Sequence, residues 1–151
     1  MRPKILIDTN LLMLLVVGRY RRDYIAVHKR TDKFNEEDFD TLSILLEDHD
    51  LVVTSNILTE ASNLLWSGPD IHKIPIREEL KSVIAMSCEH SLESLPVTSC
   101  AEFMRLGLTD TGILELREMA GIILTADLDL HLAALERGLD SANFTHYRNL
   151  L

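Results

Sequence analysis

Apolar side chains along this chain follow two different spacings, and these spacings predict which segments are strands and which are helices. Continuous apolar runs rich in β-branched residues at 4–7, 51–54 and 121–125 predict buried strands. Apolar residues three and four positions apart predict helices instead, and this spacing occurs at 11–17, 36–48, 57–66, 76–89, 101–106 and 130–137. Weaker strand patterns occur at 95–97 and 142–147.

Small polar residues and glycines mark the expected helix ends. Thr9 or Asn10 is expected to cap the first helix and Gly18 to end it. Thr109 or Asp110 is expected to cap a later helix, on which three apolar residues share a face, namely Ile113, Leu116 and Ala120.

Strands that alternate with helices predict βαβ units and therefore a parallel sheet. We expect an α/β fold, a three-layer α/β/α sandwich around a mostly parallel sheet, in a single domain over residues 1–151. No internal repeat or low-complexity tract interrupts this pattern.

The negative net charge of the chain limits the kind of nucleic-acid binding that we expect. A net charge of −9 argues against tight non-specific binding through phosphate neutralisation. Residues 19–33 are locally positive in charge, with six basic and two acidic residues. This basic segment is equally compatible with phosphate contacts and with a solvated loop, and its candidate RNA-binding residues are Arg19, Arg21, Arg22, Lys29 and Arg30.

Two features bear on the compartment. Only two cysteines occur, Cys88 and Cys100, without a C-x-x-C motif, which favours the reducing cytoplasm. The N-terminal apolar run is broken by Asp8, and the remaining stretch 11–17 is too short for a membrane span of about 20 residues. We therefore expect a cytoplasmic protein without a membrane anchor or signal peptide.

Four acidic residues follow predicted strand ends or lie in the first turn of a helix: Asp8, Glu60, Asp110 and Asp127. Such positions converge at the carboxyl edge of a parallel sheet, where ligands bind. Converging carboxylates repel unless a cation joins them, and oxygen-only ligands suit Mg²⁺ or Mn²⁺, with one or two ions per site.

Simpler roles stay open for each of these residues. Asp8 and Asp110 are also typical helix caps, and Glu60 would suit a solvated helix face. Asp129 competes with Asp127 as the direct ligand, or it serves as a cap or an outer neighbour of the site.

The chain resembles the PIN-domain nucleases of bacterial toxin–antitoxin systems, the VapC-type toxins. The resemblance lies in Ile7-Asp8-Thr9-Asn10, residues 55–60, Leu108-Thr109-Asp110 and Leu124-Thr125-Ala126-Asp127, in this order over nearly the whole chain. It implies a five-stranded parallel sheet, and it transfers Asp8, Glu60, Asp110 and Asp127 as acidic metal ligands with Asn10 and Thr125 as polar neighbours.

The resemblance also implies a function. We expect a Mg²⁺- or Mn²⁺-dependent endoribonuclease with RNA as substrate, the toxin of a toxin–antitoxin pair, forming a homodimer and inhibited by an antitoxin-like protein. Two alternatives remain. One is a catalytically silent PIN-like module that binds RNA or a protein. The other is a different Mg²⁺-dependent phosphohydrolase, although Asn10 stands where that class usually has a second aspartate.

Overall fold

A computed structural model describes residues 2–116 and 121–148 and contains a five-stranded, all-parallel sheet. The strands are β1 (Lys4–Ile7), β2 (Asp50–Thr54), β3 (Cys88–His90), β4 (Ile122–Thr125) and β5 (Ser141–Asn143), in the spatial order β3-β2-β1-β4-β5. The α/β class and the five-stranded sheet are confirmed. Strand β1 lies at the centre, and its register pairs Leu6 with Val52 on one side and with Ile123 on the other.

Helices flank this sheet to form the three-layer sandwich. They are α1 (Thr9–Tyr20), α2 (Glu36–Leu46), α3 (Ser55–Leu65), α4 (Asp70–Ala85), α5 (Ser94–Thr98), α6 (Phe103–Leu114) and α7 (Leu128–Glu136). Short 3-10 helices span Arg22–Tyr24 and Phe144–Tyr147. Helix α1 packs against α2, α3 and α4, while α6 packs against α5 and α7.

The core is organised around β1 and α1. Ile5 to Ile7 are buried because a central parallel strand is covered on both faces. Helix α1 is apolar on nearly all sides and is buried from Leu11 to Gly18, which is typical of a helix enclosed by other helices. No helix in the described part of the chain is both long and apolar enough to span a membrane.

The prediction for the ends of α1 was wrong. Asp8, not Thr9 or Asn10, caps the helix, and the helix continues through Gly18 to Tyr20. Gly18 serves packing rather than termination, because a Cβ atom there would lie 2.1 Å from Cδ1 of Phe39. The glycine therefore allows the Phe39 ring to lie directly against the α1 backbone.

The predicted third strand was also wrong. Residues 95–97 belong to helix α5, and the strand lies at Cys88–His90, where a helix had been expected to continue to residue 89. Strand β3 has no apolar run because it is a largely exposed edge strand. It forms by parallel pairing with β2, with Val53 opposite Glu89.

Around Asp110 the predicted end of the helix over 101–106 is confirmed, whereas the predicted cap was wrong. Helix α6 consists of two helical stretches that meet at Gly107, whose φ of 82° and ψ of −179° are not helical. Thr109 and Asp110 lie in the first turn of the second stretch rather than capping it. Leu116 follows the end of this helix, and Ala120 lies outside the described residues. The predicted strand at 142–147 is replaced by β5 and a 3-10 helix, and α7 starts at Leu128 instead of residue 130.

Candidate functional site

Asp8 follows the central strand and is held by three hydrogen bonds. Its Oδ1 atom accepts the amide of Leu11 at 2.9 Å, and its Oδ2 atom accepts the hydroxyl of Thr125 at 2.5 Å and the amide of Ala126 at 3.3 Å. The side chain is only 4% exposed. Burial raises the pKa of Asp8 and the charge of Asp127 adds to the rise, while the three hydrogen bonds oppose it. The carboxylate is therefore fixed in orientation.

Thr125 connects Asp8 to Asp127. Besides donating to Asp8, its Oγ1 atom accepts the amide of Asp127 at 2.9 Å. Asp127 in turn caps α7, since its Oδ1 atom accepts the amides of Asp129 at 2.8 Å and Leu130 at 3.4 Å. Thr125 thus links the end of β4 to the end of β1. This position beside Asp8 and Asp127 is the one expected of a polar neighbour of the site.

Asp110 lies partly buried on α6, beyond the Gly107 break. Burial raises the pKa of its carboxyl to about 7, with further contributions from the negative charges of Asp8, Asp127 and Glu60. Charges from three other segments of the chain therefore act on Asp110. The charge of Asp127 acts on Asp110, whereas the charge of Asp129 does not. This difference favours Asp127 over Asp129 as the candidate metal ligand.

Glu60 borders the site from α3, the helix that directly follows β2. Its Oε2 atom accepts the hydroxyl of Thr109 at 2.9 Å. Thr109 had been expected as a helix cap, and it instead orients a carboxylate. The pair lines an open groove of about 330 Å³ together with Asn56, Thr59 and Asn63.

The donor chemistry of this set fits a hard divalent cation. All four side chains offer oxygen, and none forms an ion pair with a lysine or arginine within the described ranges. The geometry is less complete. In residues 2–116 and 121–148, no three His, Cys, Asp or Glu side chains stand close enough together to hold a metal ion as they are.

Three polar residues beside these carboxylates differ in how well they are paired. Asn10 is partly buried in the first turn of α1, and no hydrogen bond of its side chain occurs among the described residues. The hydroxyls of Thr9 and Thr111 are buried without a hydrogen-bond partner in the same part of the chain. Each directly follows an acidic residue of the set, Asp8 or Asp110. Sequence reasoning missed both, because only burial distinguishes them from other threonines.

Three arginines of the basic segment are paired with carboxylates. Arg19, Arg21 and Arg22 pair with Glu79, Asp23 and Asp40 respectively, whereas Lys29 and Arg30 are exposed. Because α1 starts at the carboxyl end of β1 and runs back along the sheet, its last turn lies toward the opposite edge. Arg19 there lines a cavity of about 450 Å³ with Arg2 and Asp50, at the starts of β1 and β2.

Arg137 was not singled out from the sequence, and it has the most strongly paired guanidinium of the described residues. It binds Glu102 at 2.6 and 2.8 Å and Glu115 at 3.0 Å. No spacing rule relates these three positions, so only the tertiary structure identifies the cluster.

No protein-family model matches this chain, and no curated protein matches it either. The likeness to PIN-domain nucleases therefore depends on the four acidic segments quoted above.

Proposed function

We propose that this protein is a divalent-metal-dependent endoribonuclease of the PIN-domain type. The observation that supports the proposal is that the negative charges of Asp8, Asp127 and Glu60 all raise the pKa of Asp110, while no described lysine or arginine forms an ion pair with any of the four carboxylates. Mutually repelling carboxylates destabilise a fold unless they serve a ligand. A cation is the ligand that this set of groups would bind.

Mg²⁺ or Mn²⁺, as one or two ions, would be held by these four carboxylates, with Asn10 and Thr125 beside them. The ion would supply Lewis-acid polarisation of the scissile phosphate and a more acidic water. The products expected from such hydrolysis carry 5′-phosphate and 3′-hydroxyl ends.

The residues of the chain would contribute orientation. Asp8 is preorganised by its hydrogen bonds to Thr125, Leu11 and Ala126. Glu60 is oriented by Thr109, and Asp127 is held by the first amides of α7. Because these side chains do not stand within joint reach of an ion, cation binding is expected to draw Asp110 and Glu60 towards Asp8.

The groove beside Glu60 is where an RNA strand is proposed to lie. Asn56, Thr59 and Asn63 line it with neutral donors and acceptors. Neutral hydrogen-bonding groups suit base edges and ribose hydroxyls, whereas phosphates attract arginine and lysine. We therefore expect substrate recognition here to depend on bases and ribose more than on backbone charge.

The direct test is cleavage of single-stranded and structured RNAs with Mg²⁺, with Mn²⁺ and with chelator. Asp8→Asn should abolish metal-dependent cleavage, and Asp48→Asn, at an exposed aspartate in the turn before β2, is the matched control. If both metals leave every RNA intact at high protein concentration, the proposal is wrong.

A catalytically silent module is the second candidate, and the incomplete geometry of the carboxylates favours it. RNA binding that is unchanged by Asp8→Asn, with no thermal shift on adding Mn²⁺, would select this candidate. Turnover of a phosphomonoester without RNA cleavage would select the phosphohydrolase instead.

The proposal extends to the partners of the protein and to its location in the cell. A homodimer and an antitoxin-like inhibitor are proposed from the family resemblance, and the cytoplasm from the two free cysteines, Cys88 and Cys100. Helix α7 carries three exposed leucines at helical spacing, Leu128, Leu132 and Leu135, as a candidate contact face. Sedimentation of the purified chain would test the dimer.

A further inference from the structure

Arg137 joins the two ends of the segment that carries Asp110. This segment, residues 102–115, is called the Asp110 segment here, and it consists of α6 with one residue on each side. The guanidinium of Arg137 binds both Glu102 oxygens, at 2.6 and 2.8 Å, and Oε2 of Glu115 at 3.0 Å. The first and last residues of the segment therefore meet on one planar group.

A straight helix would not allow this contact. The 12 residues of α6 would extend about 18 Å at 1.5 Å per residue, so the two glutamates would be too far apart to share one guanidinium. The chain changes direction at Gly107, whose φ of 82° and ψ of −179° are essentially restricted to glycine. Thr109 and Asp110 follow this break, between the two anchored ends.

The contacts at the two ends are shielded and strongly ionic. The side chains of Arg137 and Glu102 are 14% and 15% exposed, and the arginine lowers the pKa of Glu102 to about 2. Arg137 also donates to the backbone carbonyl of Leu114 at 3.4 Å. Cys100 adds a contact of 2.8 Å between its Sγ atom and Oε1 of Glu115.

We propose that Arg137 is a positioning residue for the candidate metal site, closing the Asp110 segment so that Thr109 is held against Glu60 and Asp110, the next residue, is held on the same side of the segment. The expected effect of Arg137 on RNA cleavage rests on the proposed function. The closure of the Asp110 segment by Arg137 is a property of the fold and does not depend on that function. Arg137 reaches no acidic residue of the site, and it acts through the segment. A planar fork with several donors suits this task, because a lysine ammonium cannot bind two carboxylates in the same geometry.

The experiment compares wild type with Arg137→Gln and Arg137→Lys in three measurements. Hydrogen exchange of the amides of residues 103–114 reports closure of the segment, Mn²⁺ titration calorimetry reports the site, and RNA cleavage gives kcat and KM separately. We expect faster exchange in Arg137→Gln and Mn²⁺ binding weakened about tenfold or more. kcat should fall with little change in KM, and Arg137→Lys should lie between Arg137→Gln and wild type in each measurement.

Arg148→Gln is the matched control. Arg148 also forms a two-nitrogen pair with a buried carboxylate, Asp38, at 3.1 and 2.8 Å, but it anchors α2 and the carbonyl of Lys33 rather than α6. This variant should lose stability and keep the Mn²⁺ affinity and exchange pattern of the Asp110 segment.

Equal hydrogen exchange or equal Mn²⁺ affinity in folded Arg137→Gln and wild type would overturn the positioning role. If Arg137→Gln does not fold, the comparison of Arg137→Lys with wild type decides by the same two criteria. If wild type binds neither Mn²⁺ nor Mg²⁺, the proposed function fails. The hydrogen-exchange comparison of Arg137→Gln with wild type then decides alone: faster exchange in the variant supports closure by Arg137, and equal exchange overturns it.

Discussion

Thr125 donates its hydroxyl hydrogen to Oδ2 of Asp8 across 117 residues of chain. The same oxygen atom of Thr125 accepts the amide of Asp127. One small side chain therefore joins the carboxylate of Asp8 to the backbone of Asp127, just past the ends of the neighbouring parallel strands β1 and β4. This relationship makes Thr125 the polar residue with the most direct influence on the candidate site.

Replacement of Thr125 by valine tests this influence, because valine has nearly the same shape without the hydroxyl. We expect Thr125→Val to weaken Mn²⁺ binding by about tenfold or more. We also expect it to lower the free energy of unfolding by about 1–3 kcal/mol, since Asp8 stays buried with one hydrogen bond fewer. Calorimetry and urea unfolding measure the two effects. Thr125→Ser keeps the hydroxyl and should stay close to wild type, and a valine variant with unchanged Mn²⁺ affinity would contradict the assignment.

The raised pKa of Asp110 predicts how stability without metal depends on pH. The ordinary pKa of 3.8 applies to the unfolded chain, and the folded protein holds the proton up to about pH 7. Between these values the folded state binds more protons, so its stability should fall as pH rises through this window. Asp110→Asn removes the penalty, so with chelator present its melting temperature should exceed that of wild type by a few degrees at pH 8 and match it near pH 4.

Adding Mn²⁺ should reverse this order, because the cation stabilises wild type and the asparagine variant lacks the carboxylate that helps to bind it. Asp48→Asn, at an exposed aspartate outside the candidate site, should show neither effect. A wild-type melting temperature that rises steadily from pH 4 to pH 7, with no gain in Asp110→Asn at pH 8, would disprove the electrostatic account of the site.

Gly107 is predicted to be costly to replace for conformational reasons alone. A Cβ atom there would meet no atom within 4 Å, yet the φ of 82° and ψ of −179° disfavour every other residue. Gly107→Ala should therefore lose about 1–3 kcal/mol of stability without a steric clash. Chemical denaturation measures the loss, and Gly138→Ala, another glycine with positive φ and open space, is the comparison. A neutral Gly107→Ala would show that the break is not required.

Gly18 presents the opposite case, in which space and not conformation is limiting. Alanine would favour the helix by about 1 kcal/mol, but its Cβ would lie 2.1 Å from Cδ1 of Phe39. We expect Gly18→Ala to destabilise the protein by about 1–3 kcal/mol through overpacking. In a Phe39→Ala background the same change should become stabilising. A double-mutant cycle of unfolding free energies measures this coupling, and additive effects would contradict the packing explanation.

Much of the architecture could be predicted from local patterns, because a buried parallel strand must be continuously apolar. Residues 4–7 and 51–54 show this pattern, and so does the run that becomes β4. Strand β3 escaped prediction because an exposed edge strand needs only backbone pairing. Residues Cys88 to His90 form a strand because their backbone pairs with β2, and not because their side chains are apolar.

The edge positions of Asp8 and Asp127 were predictable for a related reason, since residues that follow parallel strands reach the same edge of the sheet. The positions of Asp8 and Asp127 follow from that topology. The negative charges of both residues raise the pKa of Asp110, which is consistent with these positions. That these two form a metal site with Glu60 and Asp110 stays a prediction. The partner of Thr109 and the cluster around Arg137 were not predictable, because hydrogen bonds between distant side chains leave no periodic signal in the chain.

Taken alone, the amino-acid order determined the fold class, the central strand and the placement of Asp8 and Asp127 just past strand ends, because apolar spacing and strand ends are local properties. Only the tertiary structure decided that Gly18 lies inside a helix, because the Phe39 ring packs against it. It also decided that Arg137 joins both ends of the segment around Asp110. These features depend on contacts between residues far apart in sequence, and such contacts are specified by packing in three dimensions.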